Sequence, residues 1–132
     1  MPTELLWLTL TAVMTGLMWI PYMFDRIKIR GLMGAMDNPS RKAKSQSRWA
    51  VRLYYAHTNA VENLVVFATL VLIAHSLGIS NHATIAACTV YFWARLAHAL
   101  VYTIGTPVLR TLCFAIGFAA QVVLVLAIFG LV

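Results

Sequence analysis

Two apolar segments of this chain carry polar side chains at helical spacing. The first set is spaced by three, four and three residues, and the second by four, three and four. The residues are Arg52, Tyr55, Asn59 and Glu62, followed by Tyr91, Arg95, His98 and Tyr102. Because a helix turns about 100° per residue, each set lies on one face of its helix. Two facing stripes of cationic, amide and carboxylate groups predict a polar site inside a helical bundle.

Arg95 and Glu62 fall at similar depths when each segment is measured at about 1.5 Å per residue. A lone guanidinium or carboxylate is costly in hydrocarbon, so we expect these two groups to form an ion pair, with Asn59 adding hydrogen bonds. The pair either belongs to a ligand site or only fixes helix register and subunit packing. Glu62 could also receive the ammonium group of a ligand.

Arg110 stands just after Thr106-Pro107, at the start of the last apolar segment. The free N–H groups of a helix start favour anions, and an arginine strengthens that preference. Arg110 is therefore a candidate for holding a thiolate or a carboxylate. The alternative is an interfacial arginine that extends to lipid headgroups.

The segments that must position these residues are long enough to cross a bilayer. Hydrophobic residues make up 61% of the 132 residues and charged ones only 11%, against about 25% in soluble domains. A hydrocarbon core of about 30 Å needs roughly 20 apolar residues per helix. Four such spans are predicted, over about 4–24, 49–78, 82–104 and 108–132. The sequence thus predicts an all-α integral membrane four-helix bundle that forms one domain over 1–132.

Most of the positive charge lies in the predicted loop 25–48, whereas residues 80–82 contain neither Lys nor Arg. The positive-inside rule places this loop in the cytoplasm and both chain termini on the other side. Attraction to anionic lipid headgroups accounts for the net charge of +6, and no nucleic-acid partner is expected. Cys88 and Cys113 have no metal-ligand spacing and are interpreted as core residues, so no metal site is predicted.

From Trp49 onward the chain resembles the MAPEG family, the membrane-associated proteins of eicosanoid and glutathione metabolism. The similarity rests on Arg52, Asn59 and Glu62, on 92–98 followed by Tyr102, and on Pro107 with Arg110. Residues 56–63, Ala-His-Thr-Asn-Ala-Val-Glu-Asn, are similar to the bacterial branch. Tyr55 departs from the pattern, because glutathione-using members usually have an arginine at that position.

The resemblance implies a homotrimer with glutathione sites shared between adjacent subunits near the cytoplasmic face. It implies that Arg110 stabilises the glutathione thiolate, which is the reactive form of the thiol. The implied binding residues are Arg52, Asn59, Glu62, His98 and Tyr102. Arg95 joins them through its expected ion pair with Glu62, and Arg30 joins them on a looser alignment.

We therefore expect a transferase or peroxidase that uses glutathione or a similar thiol on lipophilic electrophiles or peroxides. Its expected partners are further copies of itself, membrane lipids and the lipophilic substrate, and its expected location is a bacterial inner membrane. Two alternatives remain open at this point. One is a small four-helix transporter or channel that uses Glu62 as its titratable carboxylate, and the other is a non-catalytic lipid-binding protein of the same fold.

Overall fold

Five α-helices account for the chain in a computed structural model that describes all 132 residues. They are α1 Thr3–Leu17, α2 Trp19–Met36, α3 Arg48–Ser76, α4 His82–Ile104 and α5 Pro107–Ile128. The first two follow each other through Met18 as one apolar segment, so four segments are long and apolar enough to cross a membrane. The predicted all-α fold with four spans is confirmed.

The ends of α3, α4 and α5 lie within a few residues of the predicted bounds because local signals mark them. Gly78 follows α3 with a φ of 69°, and Gly105 follows α4 with a φ of 95°, a left-handed conformation that glycine adopts without steric cost. Asn81 caps the start of α4 through a reciprocal pair of hydrogen bonds with Thr84. Pro107 occupies the first turn of α5, where a backbone N–H has no partner within the helix, so its absence in proline costs no hydrogen bond.

The first connection is shorter than the predicted loop 25–48, because residues 25–36 continue α2 as helix. The prediction ended the helix where the apolar run ends. A helix that leaves the bilayer need not stop at its surface, since Arg and Lys are good helix formers. The first interruption is Gly31, with φ 72° and ψ 168°, and α2 resumes beyond it to Met36.

Asp25, in the first half of α2, fastens that helix to the start of α3. Its buried carboxylate accepts hydrogen bonds from the Ser47 backbone N–H at 3.0 Å, from the Ser47 hydroxyl and from the Gln46 amide at 3.4 Å. The same Gln46 amide donates to the Tyr22 carbonyl at 2.8 Å. The end of the connection 37–47 that leads into α3 is thus held against α2.

The bundle has two chemically different ends. At the basic end, which contains the connection 37–47 and the α4–α5 turn, Arg52 Nε donates to the Thr103 carbonyl at 2.8 Å. At the opposite end, the α3–α4 turn meets both chain termini, since Glu4 accepts a hydrogen bond from Ser80 and Asn81 donates to the Val132 carbonyl. Between the ends, the rings of Phe67 and Tyr91 stack with centroids 3.7 Å apart in the main apolar core.

Candidate functional site

A cavity of about 230 Å³ opens toward the basic end of the bundle, between α3, α4 and α5. Its lining residues are Asn59, His98, Tyr102, Arg110, Thr111 and Phe114. The α4 residues are four positions apart and therefore one turn apart on the same face. The α5 residues belong to the first two turns of that helix, so the start of α5 forms one wall of the cavity.

Three side chains of this cavity form a row in space, in which Tyr102 lies between Arg110 and His98. The guanidinium carbon of Arg110 lies 4.3 Å from the centre of the Tyr102 ring, a cation–π contact. The Tyr102 ring packs edge-on against His98 with centroids 5.5 Å apart. Arg110 makes no hydrogen bond within the chain, so stacking fixes its position while its N–H groups remain available.

Asn59 is oriented by a neighbour outside the cavity. Arg95 Nη2 donates to Asn59 Oδ1 at 2.6 Å. With one lone pair of its oxygen occupied in this way, Asn59 still has both N–H donors of its NH₂ group available for a ligand. The Arg110 guanidinium and the Tyr102 hydroxyl also offer donors, and no carboxylate lines the cavity. This set of groups suits an anion, such as a carboxylate or a thiolate.

The ion pair expected between Arg95 and Glu62 does not form within the chain. Arg95 exposes only 3% of its surface and bonds to Asn59 instead, whereas Glu62 is exposed and makes no hydrogen bond. The physical reason is the rotation of α3. Three residues turn a helix by about 300°, so when Asn59 points toward α4, Glu62 points about 60° away from it.

Two further arginines named from the sequence lie outside the cavity. Arg52 bonds to the Thr103 carbonyl, and its guanidinium lies about 3.2 Å from the position of a Cβ at Gly105, so it closes the C-terminal end of α4. Arg30 donates to the Lys44 carbonyl at 2.7 Å and lines a separate surface pocket with Lys42 and Lys44.

The structure therefore divides the eight residues named from the sequence into two groups of four. Those that line the cavity are Asn59, His98, Tyr102 and Arg110. Those that it places elsewhere are Arg30, Arg52, Glu62 and Arg95, although Arg95 contacts the cavity residue Asn59. Tyr55 is also exposed on the bundle surface and does not line the cavity.

Sequence reasoning missed Thr111 and Phe114, which complete the cavity wall on α5. Phe114 could have been predicted from the spacing, because it follows Arg110 by one helical turn and lies on the same face of α5. It also missed Gln121, a buried amide in the otherwise apolar α5 that donates to the Asn63 carbonyl at 3.2 Å. A polar side chain inside a span is itself a signal, and this one links α5 to α3.

A known protein family matches nearly the whole chain, including the residues that line this cavity. The sequence model of the MAPEG family matches residues 5–130 of the 132-residue chain. The matched region contains every residue that lines the cavity. No curated protein sequence matches the chain significantly.

Proposed function

The chain belongs to the MAPEG family, and on this premise we propose that it is a membrane-embedded, thiol-dependent transferase or peroxidase for lipophilic electrophiles or peroxides. The family includes glutathione transferases and peroxidases, and four apolar segments make this chain an integral membrane protein. The observation that carries the proposal is the donor-lined cavity, in which an uncommitted Arg110 guanidinium is stacked on Tyr102.

Glutathione is the thiol that we propose for this cavity, and when bound it would supply a sulfur nucleophile. The fit is supported by the donors of the cavity, because a tripeptide with carboxylates and an acidic thiol presents several anionic groups. In this assignment Arg110 holds the thiolate, since a nearby guanidinium favours the charged form of sulfur. Asn59 and Tyr102 donate to the carboxylates. Phe114, which lines the cavity and is 37% exposed, contacts the lipophilic substrate.

The cavity has no carboxylate for the ammonium group of glutathione, and this supports a shared site. Glu62 is exposed one helical turn beyond Asn59, on an apolar helix where an uncovered carboxylate is costly. We propose that a neighbouring copy covers Glu62 in a homotrimer, so that the carboxylate completes a site between subunits. The proposed setting is a bacterial inner membrane with the basic end in the cytoplasm, and the native mass in detergent tests the assembly.

The test of the catalytic assignment is Arg110→Ala in the detergent-solubilised protein. Conjugation of glutathione to an aryl halide should fall roughly a hundredfold, the typical loss when one group that stabilises a developing or reacting anion is removed. Arg110→Lys should retain part of the rate, and Arg41→Ala, in the exposed loop, should leave it unchanged.

A second measurement separates binding from turnover. Glutathione should raise the thermal midpoint of the wild-type protein, and this shift should shrink in Arg110→Ala while the midpoint without glutathione stays the same. Absence of both glutathione-dependent stabilisation and conjugation in the wild-type protein would count against the proposal.

The transporter hypothesis is favoured by one specific observation, the lack of a cationic partner for Glu62. Because Arg95 bonds to Asn59, Glu62 has no guanidinium next to it within the chain. A proton-coupled transporter needs a carboxylate that binds and releases a proton. Proton-driven uptake of a lipophilic cation into proteoliposomes, abolished by Glu62→Gln, would support this second function, whereas uptake that is independent of the proton gradient would exclude it.

A further inference from the structure

A second cavity, of about 250 Å³, lies at the opposite end of the bundle. Its walls come from α1, the end of α3, the start of α4 and α5, and include Glu4, Val71, His75, Thr84, Cys88 and Leu124. Thr84 precedes the Tyr102 of the first cavity by 18 residues of the same helix, which is about 27 Å. The two cavities are therefore separate, and nothing assigned above uses this one.

The charged group of this second cavity is the carboxylate of Glu4, which is 7% exposed. Its Oε1 atom accepts hydrogen bonds from the Ser80 hydroxyl at 2.8 Å and from the Thr84 hydroxyl at 2.7 Å. Oε2 accepts none from another residue, and no Lys or Arg lines the cavity. The free N–H groups at the start of α1 favour the negative charge of Glu4, and a carboxylate that lines a cavity without a cation attracts a positively charged occupant.

A purely structural role for Glu4, linking α1 to the start of α4, accounts for the two hydrogen bonds to Oε1. It does not account for the cavity that the carboxylate lines. His75 is the imidazole on the rim of the cavity, and it is exposed and makes no hydrogen bond to Glu4. The deeper wall is apolar, with Val71, Ala74 and Leu124 buried around it. An occupant that matches these walls has a small cationic head and a short hydrocarbon body.

We propose that this cavity binds an alkylammonium group, with the ammonium on Glu4 Oε2 and the hydrocarbon against Val71 and Leu124. A volume near the lower end of small-molecule pockets, about 300 Å³, limits the group to a few carbon atoms. The same chemistry is offered by a free primary amine and by the ethanolamine headgroup of a phospholipid. The proposal does not depend on the thiol chemistry of the first cavity.

The test is the thermal midpoint of the detergent-solubilised protein with pentylammonium, with 1-pentanol as an uncharged control of the same length. Saturating pentylammonium should raise the midpoint by about 3 °C, and pentanol should not. Glu4→Gln should abolish the response, because the amide oxygen keeps the hydroxyl bonds but the charge is lost. Ser80→Ala is the matched control, and it should still respond because it retains the carboxylate.

A parallel arm with lysophosphatidylethanolamine and lysophosphatidylglycerol identifies the source of the amine. Stabilisation by the ethanolamine lipid alone, lost in Glu4→Gln, assigns the cavity to a lipid headgroup, and stabilisation by pentylammonium alone assigns it to a free amine. No Glu4-dependent stabilisation by either amine overturns the proposal.

A direct binding measurement covers the case in which Glu4→Gln does not fold. Saturation-transfer NMR on the wild-type protein should show magnetisation passing to the alkyl protons of pentylammonium. Ala74→Leu, which narrows the apolar part of the cavity and leaves Glu4 in place, should reduce this transfer at least severalfold. Transfer that is absent in the wild-type protein, or unchanged in Ala74→Leu, contradicts the proposed site.

Discussion

The hydrogen bond from Arg95 to Asn59 connects the buried interior of the bundle to the candidate site. Arg95 lies against α5, since a Cβ added at Gly117 would be in ordinary van der Waals contact with Arg95 Cδ at 3.5 Å. The neutral oxygen of Asn59 is the acceptor that the structure provides for this guanidinium. We therefore propose Arg95 as a positioning residue that fixes the orientation of the Asn59 amide at the candidate site.

Replacing Asn59 tests the contribution of this hydrogen bond to stability at the scale of a single residue. Asn59→Ala removes the acceptor from a buried cation, and hydrogen bonds to charged groups contribute about 1.5–3 kcal/mol, so the thermal midpoint in detergent should fall by several degrees. Asn59→Asp is the matched control and should keep most of the stability, because a carboxylate oxygen can accept the same bond. An unchanged midpoint in Asn59→Ala would show that the bond is not important for the fold.

At the scale of the helix, the contact between Gly105 and Arg52 stabilises the end of α4. Gly105 has a φ of 95°, and an added Cβ would lie 3.2 Å from the Arg52 guanidinium. Gly78 ends α3 with a φ of 69°, and an added Cβ there would meet nothing within 4 Å. These two glycines differ in their surroundings but not in the need for a left-handed backbone.

We expect Gly105→Ala to lower the thermal midpoint more than Gly78→Ala. Both substitutions carry the left-handed penalty of about 1–2 kcal/mol, but only Gly105→Ala also displaces Arg52 from the Thr103 carbonyl. Thermal unfolding of the two variants in the same detergent measures the difference. Equal losses would mean that Arg52 moves aside freely and does not hold the end of α4.

The fastening of α2 to α3 predicts how the basic connection responds to protease. Asp25→Ala removes the acceptor of the bonds from Ser47 and Gln46, so the connection should open more often and trypsin should cut at Lys42 or Lys44 about tenfold faster. Asp37→Ala is the control. Its carboxylate is exposed and bonds only to the Asn38 backbone N–H next to it, so its cleavage rate should match that of the wild-type protein.

If both Asp variants were cleaved at the wild-type rate, the Asp25 contacts would not limit opening of the connection. If both were cleaved faster, the effect would come from the loss of negative charge near the lysines rather than from the lost bonds.

At the scale of the whole molecule, the uneven distribution of charge predicts one orientation in the membrane. The basic connection 37–47 and the turn 77–81 lie at opposite ends of the bundle, and only the former contains Lys and Arg. Arginine and lysine near the ends of spans are retained on the cytoplasmic side. The candidate site, which opens toward the basic end, would then receive a water-soluble thiol from the cytoplasm.

Cysteine labelling tests this orientation. In a background with Cys88→Ser and Cys113→Ser, a membrane-impermeant maleimide added to intact cells should modify Ser76→Cys but not Ser45→Cys. Permeabilised cells should show labelling of both, which controls for accessibility, since both positions are exposed. Modification of Ser45→Cys alone in intact cells would reverse the proposed topology.

The sequence alone determined the four spans and the presence of polar faces in the bundle. Hydropathy, caps and helical spacing are local properties, so they can be read from neighbouring residues. They also sufficed to select Asn59, His98, Tyr102 and Arg110, because polar groups inside a span must face the bundle interior or another partner.

Only the tertiary structure decided which of these polar groups meet. Whether Asn59 or Glu62 reaches Arg95 depends on the rotation of α3 about its axis, and packing against α4 and α5 sets that rotation. The contact of Glu4 with Thr84 joins residues 80 positions apart and has no local signal. Four of the six residues that line the cavity at the basic end could therefore be predicted, but not their geometry, and the second cavity could not be predicted at all.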